Sequence, residues 1–411
     1  MLPSGGGEED DGRARRAEQT ITDCQHAGRG AEARTMTAAR VFTDREAAQA
    51  RRLVASQGLQ FEEPLDDLVV SYEGDRLVGT AARSGYVLKM FAIENDSQGG
   101  PVLGELADEL IRLGQAAGHE TFFVFTRPQH AAAFAQINFR ILASAGEVAL
   151  LEYGPGLEAY LAERASLVRS GRNAAAVING NPFTRGHLYL VERAASEVDH
   201  CYVFMVREDR SVFPFALRDR LARAATAHIP NVLVTDTSRY AVSSGTFPSY
   251  FLKKLDAIAR AQMEIDLHLF AARLAPAFGI SARYVGHEPY DATTAAYNET
   301  MKRVFPGYGL RLVEIRRLER SGEKDGGERT FISATKVRAA LAREDWSALR
   351  GMVPEPTFDL LCSEEGREIG ARLRAAEAAP SETPHGAPAT SPRLPLARAP
   401  GAKGPEQGDH P

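Results

Sequence analysis

The chain has 411 residues, of which 44% are hydrophobic and 25% charged, and this is enough for two ordinary hydrophobic cores. Its formal net charge of −5 gives no sign of the basic surface that binds a nucleic-acid backbone, so no nucleic-acid partner is expected. No apolar run approaches the roughly 20 residues that cross a bilayer, and no signal-peptide pattern opens the sequence. The 3 cysteines are far apart and have no zinc-ligand spacing, which predicts a cytoplasmic protein without membrane contact or a bound structural metal.

The two ends of the chain differ in composition from its middle. Residues 1–36 and 376–411 are rich in Gly, Pro, Ala and charged residues, with too little apolar content to offset the entropy of ordering, and are predicted to be disordered extensions. Between them the patterning predicts a first domain at 37–155, a linker helix at 156–172 and a second domain at 173–375.

The first domain mixes short apolar runs with helix-like stretches. A helix is predicted at 44–56, and "DLVVSYEGDRLVGTAA" predicts a β-hairpin around Gly74. The segment "YVLKMFAI" predicts another strand. It is followed by a glycine-containing turn and an amphipathic helix, and "TFFVF" and "EVALLE" predict further strands.

The order strand, Gln/Gly-rich turn, helix, strand resembles that of GNAT-type acetyltransferases. The resemblance implies an α+β fold in which backbone amides of the turn at 98–102 hold the pyrophosphate of acetyl-CoA at a helix N-terminus. Pro101 stands where that family usually has its last glycine, and proline has no amide hydrogen to donate. Two interpretations stay open: a working acetyltransferase site, or a fold retained for packing or partner contact.

The second domain alternates strands and helices. Its predicted strands are "AAAVIN", "CYVFMV", "NVLVTD", "SARYVG" and "LRLVEI". This spacing predicts a Rossmann-like parallel sheet covered by helices. In such sheets ligands bind at the carboxyl ends of the strands, near the point where the strand order reverses.

The junction "NPFTRGHLYL" at 181–190 follows the first of these strands and opens a helix. A helix N-terminus leaves backbone amides unpaired and carries partial positive charge. At Gly186 no side chain would obstruct a phosphate. Thr184 could donate its hydroxyl, and His187 could donate to an oxygen between two phosphates. The alternative is a helix cap at Thr184 and an ordinary surface histidine.

A second segment, "FISATKVRAALA" at 331–342, also opens a helix. Ser333 and Thr335 supply hydroxyls, and Arg338 lies one turn inside, where its guanidinium could bind phosphate oxygens in a fork. Together with the first junction, it resembles the Thr-x-Gly-His and Ile-Ser-x-Thr-x-x-Arg signatures of the nucleotidyltransferase superfamily, whose members split an NTP between its α and β phosphates.

That resemblance implies a role for each matching residue. Thr184 and His187 would face the α and β phosphates, while Ser333, Thr335 and Arg338 would hold the departing pyrophosphate. Where the signature usually has a second serine, this chain has alanine. The remaining positions expected to contact ATP are Asn181, Phe183 and Gly186 at the junction, and Gly286 and Glu288 at the end of a later strand, where adenosine recognition is expected.

Seven segments between 173 and 357 occur in the order found in the [citrate (pro-3S)-lyase] ligase family, and the chain resembles that family over this range. The resemblance implies a ligase that uses ATP and Mg²⁺ to join acetate to the thiol of the phosphoribosyl-dephospho-CoA arm on the acyl-carrier subunit of citrate lyase. AMP and pyrophosphate would be released. Catalysis would rest on Thr184, His187 and Arg338.

Two other functions stay open. One is an adenylyltransferase that acts on a small phosphorylated acceptor, and the other is a non-catalytic module that binds the carrier protein. Three arginines follow the second strand of the parallel sheet on the expected phosphate side, namely Arg207, Arg218 and Arg220. A solvated helix face explains the latter two equally well.

Overall fold

The computed structural model of the chain describes residues 37–98, 100–207, 211–241, 255–287, 292–316 and 331–378. The extension predicted at 1–36 lies outside these ranges, as does the tail predicted at 376–411 except for 376–378, which end the last helix. The chain divides into two compact units. One contains the residues up to Ser84 and Met90–Ala117, and the other contains Gly85–Lys89 and the residues from Gly118 onward.

The N-terminal region contains a seven-stranded mixed sheet of order β1-β2-β3-β4-β5-β7-β6. Its strands are β1 Thr37–Arg40, β2 Asp67–Glu73, β3 Arg76–Ser84, β4 Val87–Ile93, β5 Phe122–Thr126, β6 Arg140–Ala145 and β7 Val148–Tyr153. Its helices are α1 Asp44–Ser56, α2 Val102–Ala116 and α3 Pro128–Gln136. The predicted hairpin is confirmed, because β2 and β3 pair antiparallel on either side of Gly74, which has a left-handed φ of 61°.

The order of elements expected from the GNAT resemblance is also confirmed. Strand β4 leads through the turn into α2 and then to β5, and β4 and β5 pair in parallel at Val87 with Phe123 and at Leu88 with Val124. Helix α2 packs closely on its own unit, since a Cβ atom at Gly79 would lie 2.5 Å from Val102 Cγ1. This region therefore has the predicted GNAT-like α+β fold.

A short helical stretch leads to the second sheet. The predicted linker helix corresponds to α4 Gly156–Glu163 and a 3-10 turn at Ala165–Leu167. The Tyr160 hydroxyl donates to the Asp236 carbonyl at 2.7 Å, and the Arg164 guanidinium bonds the Asp236 carboxylate at 2.7 Å. These contacts attach α4 to the strand that ends at Asp236.

The second sheet has five strands, all parallel, in the order β10-β9-β8-β11-β12. The strands are β8 Asn173–Ile178, β9 His200–Met205, β10 Val232–Asp236, β11 Ile280–Gly286 and β12 Arg311–Ile315. Each lies within one residue of the segment predicted for it. The first strand, β8, is central, so the strand order reverses beside it, between β8 and β11. The predicted Rossmann-like sheet is confirmed.

Helices connect and cover these strands. They are α5 Arg185–Glu197, α6 Phe215–Thr226, α7 Leu255–Leu269, α8 Ala292–Val304, α9 Ala334–Ala342, α10 Trp346–Met352, α11 Glu355–Cys362 and α12 Glu364–Ala378. A π-helical turn at Phe270–Leu274 and a short turn at Ala275–Ala277 continue α7. Small residues in β8 let helices approach the sheet, and the core formed there also includes Phe183, Phe213 and Val337. In the described part of the chain, no helix is long and apolar enough to cross a membrane.

Candidate active site

The first motif begins where β8 ends. Gly180 has a φ of +61°, and a Cβ atom there would lie 3.1 Å from Met205 Cε. A glycine therefore makes this turn at low cost. The turn leads to Thr184, the N-cap residue of α5, which is almost fully buried.

Thr184 and His187 form a reciprocal capping box. The Thr184 Oγ1 accepts from the His187 amide at 3.3 Å, and His187 Nδ1 accepts from the Thr184 amide at 3.0 Å. Since Nδ1 is an acceptor, the neutral imidazole carries its hydrogen on Nε2, which is a donor. The cap expected at Thr184 is present. It also sets the orientation and tautomer of His187, so the capping and phosphate-binding interpretations are compatible.

Phe183 is placed differently from the other residues of the junction. Its side chain is fully buried in the core, and its ring lies 5.4 Å from the His187 ring, centroid to centroid. The whole residue is inaccessible to solvent, and its ring packs against the imidazole. Whether it contacts ATP stays a prediction.

The second motif lies beside the first, although the two are far apart in the chain. Ser333 is the N-cap residue of α9 and accepts from the Lys336 amide at 3.2 Å. Arg338 Nη1 donates to the Asn181 carbonyl at 2.6 Å, a contact between residues 157 positions apart, and its Nη2 donates to Thr335 Oγ1 at 3.1 Å. The structure thus brings the expected residues of both motifs to one place.

Gly186 marks a second contact between the motifs. A Cβ atom built on Gly186 would lie 3.5 Å from Thr184 Oγ1 and 3.7 Å from the Ile332 carbonyl oxygen. These are ordinary van der Waals distances, so the backbone of the second motif runs directly beside the first turn of α5.

The junction is positively charged. Arg338 is half-buried, and this burial lowers its pKa, although a guanidinium stays protonated in proteins. Among the residues that the structure describes, neither Arg338 nor Lys336 pairs with a carboxylate. Their charge, together with the N-termini of α5 and α9, favours an anionic ligand such as phosphate.

The predicted adenosine position lies next to this junction. Because β11 neighbours β8 in the parallel sheet, Gly286 ends its strand beside the start of the first motif. The Gly286 carbonyl accepts from Asn298 Nδ2 at 3.1 Å, and a Cβ atom on Gly286 would meet nothing within 4 Å. Glu288, the other residue expected here, lies outside the described residues.

Comparison with known proteins identifies the family. Residues 173–361 match the family model described as the citrate lyase ligase C-terminal domain. The [citrate [pro-3S]-lyase] ligase of Klebsiella pneumoniae is 36% identical over 317 residues, which cover 75% of this chain and 91% of that protein. The [citrate [pro-3S]-lyase] ligase of Escherichia coli (strain K12) is 32% identical over 326 residues, which cover 77% and 91%. The chain belongs to the [citrate [pro-3S]-lyase] ligase family.

Membership of the ligase family makes this chain an enzyme and confirms the resemblance drawn from the seven segments. A more distant structural likeness is to Thermotoga maritima TmcAL bound with alpha-thio ATP, at a TM-score of 0.33 and 15% identity over 49% of this chain and 57% of that one.

Arg218 of this ligase family member does not lie on a solvated helix face. The interpretation that such a face explains Arg218 as well as the phosphate side does is wrong, because its side chain is fully buried. Arg220, two residues on, is exposed and pairs with Glu365. The sequence does contain a sign that Arg218 is buried. It lies at helical spacing from Ala222 and Ala225, which are both buried on the inner face of α6.

Proposed function

We propose that this chain is an ATP-dependent ligase that acetylates the thiol of the phosphoribosyl-dephospho-CoA arm on the acyl-carrier subunit of citrate lyase. Acetate and ATP would be consumed, and AMP and pyrophosphate released. The observation that supports the proposal is the bond from Arg338 to the Asn181 carbonyl. It joins two motifs that are expected to bind phosphate, beside the central strand of a parallel sheet in a ligase family.

In the first half-reaction, an acetate oxygen attacks the α phosphorus of ATP. The bond from that phosphorus to the bridging oxygen breaks, and acetyl-AMP and pyrophosphate form. Acetate needs no general base, because its carboxyl pKa of roughly 4 to 5 leaves it ionised at neutral pH. The protein's task is therefore to orient the reactants and to neutralise charge.

The described residues suit that task. The Nε2 hydrogen of His187, set by the capping box, can be donated to a phosphate oxygen as negative charge builds on it. Arg338 supplies a fixed cation for the departing pyrophosphate. The backbone amides that open α5 and α9 add donors that need no reorganisation during the reaction.

In the second half-reaction, the carrier thiolate attacks the acetyl carbonyl carbon and AMP leaves with its phosphate oxygen. A thiol with a pKa near 8.5 is only partly ionised at neutral pH, so a base or a positive environment would help this step. Cys201 does not serve as an internal acceptor, because it is buried in β9 and this burial raises its pKa to about 12.

Mg²⁺ is expected with ATP in this reaction. Among the described residues, no group of three His, Cys, Asp or Glu side chains could hold a metal ion. With ATP, Mg²⁺ is commonly bound through substrate phosphates and water, with one or two protein carboxylates. It would supply neutralising charge on the phosphates.

The test is pyrophosphate release from ATP with and without acetate, with deacetylated citrate lyase carrier subunit added to a parallel sample. We expect release that requires acetate and that continues over many turnovers only when the carrier thiol is present. Release without acetate, but with a phosphorylated small molecule, would favour the adenylyltransferase alternative. Failure of the purified protein to bind ATP would favour the non-catalytic carrier-binding module.

A further inference from the structure

The buried guanidinium of Arg218 lies at the carboxyl ends of two adjacent strands. Its Nε donates to the Phe213 carbonyl at 2.9 Å. Its Nη1 lies 2.6 Å from the Asn179 carbonyl, 2.9 Å from Asn179 Oδ1 and 2.8 Å from the Val206 carbonyl. One side chain therefore binds the residue after β8, the residue after β9 and the loop before α6.

These contacts lead to the phosphate motifs in two steps. Asn179 is followed by the left-handed turn at Gly180 and then by Asn181. The Phe213 amide donates to Asn181 Oδ1 at 3.0 Å, and Arg338 donates to the Asn181 carbonyl at 2.6 Å. Arg218 thus contacts Asn179, two residues before Asn181, and also Phe213, whose amide binds the Asn181 side chain. The Asn181 carbonyl in turn accepts from Arg338.

Burying a guanidinium is costly, and an apolar side chain of similar volume would often give equal or greater stability. The side chain also adds a positive charge inside the protein, behind the turn that leads to the phosphate motifs. A charge in such a low-dielectric position acts more strongly than one in water. An arginine at this position has a functional explanation in that it orders the turn and supports binding of an anion.

We propose that Arg218 is a positioning residue of the nucleotide site. It keeps the 179–181 backbone in the conformation that presents the Asn181 carbonyl to Arg338 and the first turn of α5 to the phosphates of ATP. The proposal rests on the nucleotide binding in the proposed function, and it does not depend on which acceptor receives the acyl or nucleotidyl group.

Lysine is not an adequate substitute at this position. The guanidinium carries Nε and Nη1 at different positions of one rigid planar group, so it reaches the Phe213 carbonyl and the two strand ends together. An ammonium donates from a single atom at the end of a flexible stem. Arg218→Lys keeps the charge and most of the volume but loses the bridge.

The experiment compares Arg218→Lys and Arg218→Gln with the matched controls Arg220→Lys and Arg220→Gln in the full chain. Arg220 lies in the same helix but is exposed, with one ion pair to Glu365. For each protein, the Kd for ATP is measured by calorimetry, thermal unfolding is followed, and KM for ATP and for acetate is measured separately from kcat.

We expect Arg218→Lys to raise both Kd and KM for ATP about tenfold, because bonds to a charged group are lost, and to leave KM for acetate nearly unchanged. The Arg220 variants should stay within about twofold of wild type. A merely structural role predicts a smaller active fraction, which lowers kcat at constant KM. Unchanged ATP affinity in folded Arg218→Lys would overturn the proposal.

The remaining outcomes are also decisive. If Arg218→Gln does not fold, Arg218→Lys decides the matter. If both fail to fold while the Arg220 pair folds, Arg218 is a structural residue and the proposal is wrong. If wild type itself does not bind ATP, the proposed function is wrong. If wild type binds ATP and the Arg218 variants bind it equally well, only the positioning role of Arg218 is wrong.

Discussion

Two junctions in this chain have the same order of elements, a strand, a turn and a helix, yet differ in the chemistry they offer. At the first, Pro101 is the N-cap residue of α2, and no side chain caps the helix. The Gln98 side-chain Nε2 donates back to the Ile93 carbonyl at 3.3 Å. At the second, Thr184 caps α5 through a reciprocal bond with His187, and Arg338 reaches the same loop. A helix N-terminus alone is a weak anion site. The second junction is the better candidate for one, because it adds side-chain donors and a cation that pairs with no carboxylate of the described residues.

The largest effect should come from removing the donor that only the second junction has. His187→Ala is expected to slow adenylate formation about 100-fold or more, since a donor to developing charge is lost. The free energy of unfolding should fall by only about 1 kcal/mol, through the lost capping contact. Acetate-dependent pyrophosphate release and urea denaturation measure the two quantities. A parallel loss of stability and rate would favour the packing interpretation of His187.

The next effect concerns the cation. Arg338→Lys should lower kcat/KM for ATP about tenfold or more, because a point ammonium cannot keep both the Asn181 and Thr335 contacts and still bind phosphate in a fork. Arg343→Lys is the matched control, since Arg343 is an exposed residue at the C-cap of the same helix. Equal kinetics for the two variants would remove Arg338 from the site.

A smaller effect separates capping from catalysis. Thr184→Ala and Thr43→Ala each remove the threonine of a capping box, and each should cost about 0.5–2 kcal/mol of stability. We expect only Thr184→Ala to slow pyrophosphate release, because only that cap orients a histidine at the phosphates. Denaturation and steady-state rates for both variants test this. If the Thr43 variant lost as much rate, the loss would reflect stability alone.

The smallest effect should come from the first junction. Pro101→Gly restores an amide hydrogen to the GNAT-like turn and should reduce stability by about 0.4–1 kcal/mol through greater freedom of the unfolded chain. The ligase rate should stay within about twofold of wild type. A titration with CoA shows whether the new backbone amide at position 101 supplies the donor that the GNAT-like turn needs to bind the pyrophosphate of CoA. A large change in ligase rate would contradict the view that the two junctions act separately.

Much of this architecture was predictable from local patterns. The five parallel strands were located within one residue because short apolar runs alternate regularly with helical stretches. The meeting of the two motifs followed from a general rule, that ligand-binding loops gather at the carboxyl ends of parallel strands. A helix cap at Thr184 was one of two interpretations of a threonine placed just before an amphipathic helix, but the reciprocal bond from the Thr184 amide to His187 Nδ1 was not predicted.

The remainder depended on contacts that no local pattern encodes. Arg218 is buried because α6 presents it to the ends of β8 and β9, and an arginine near the start of a helix is more often exposed. The bond from Arg338 to Asn181 could not be derived from either motif separately. Phe183 looked like part of a binding loop, but its side chain completes the core beneath His187.

The Asn181–Arg338 bond has a consequence for the order in which the chain matures during synthesis. The first motif and its capped helix can form early, from residues close in sequence. The contact from Arg338 depends on a segment made more than 150 residues later. Pairing across such a separation is entropically expensive and forms late. A nascent chain would therefore have a folded junction before it could bind a nucleotide tightly. Tight binding would require the later helix α9, which carries Arg338.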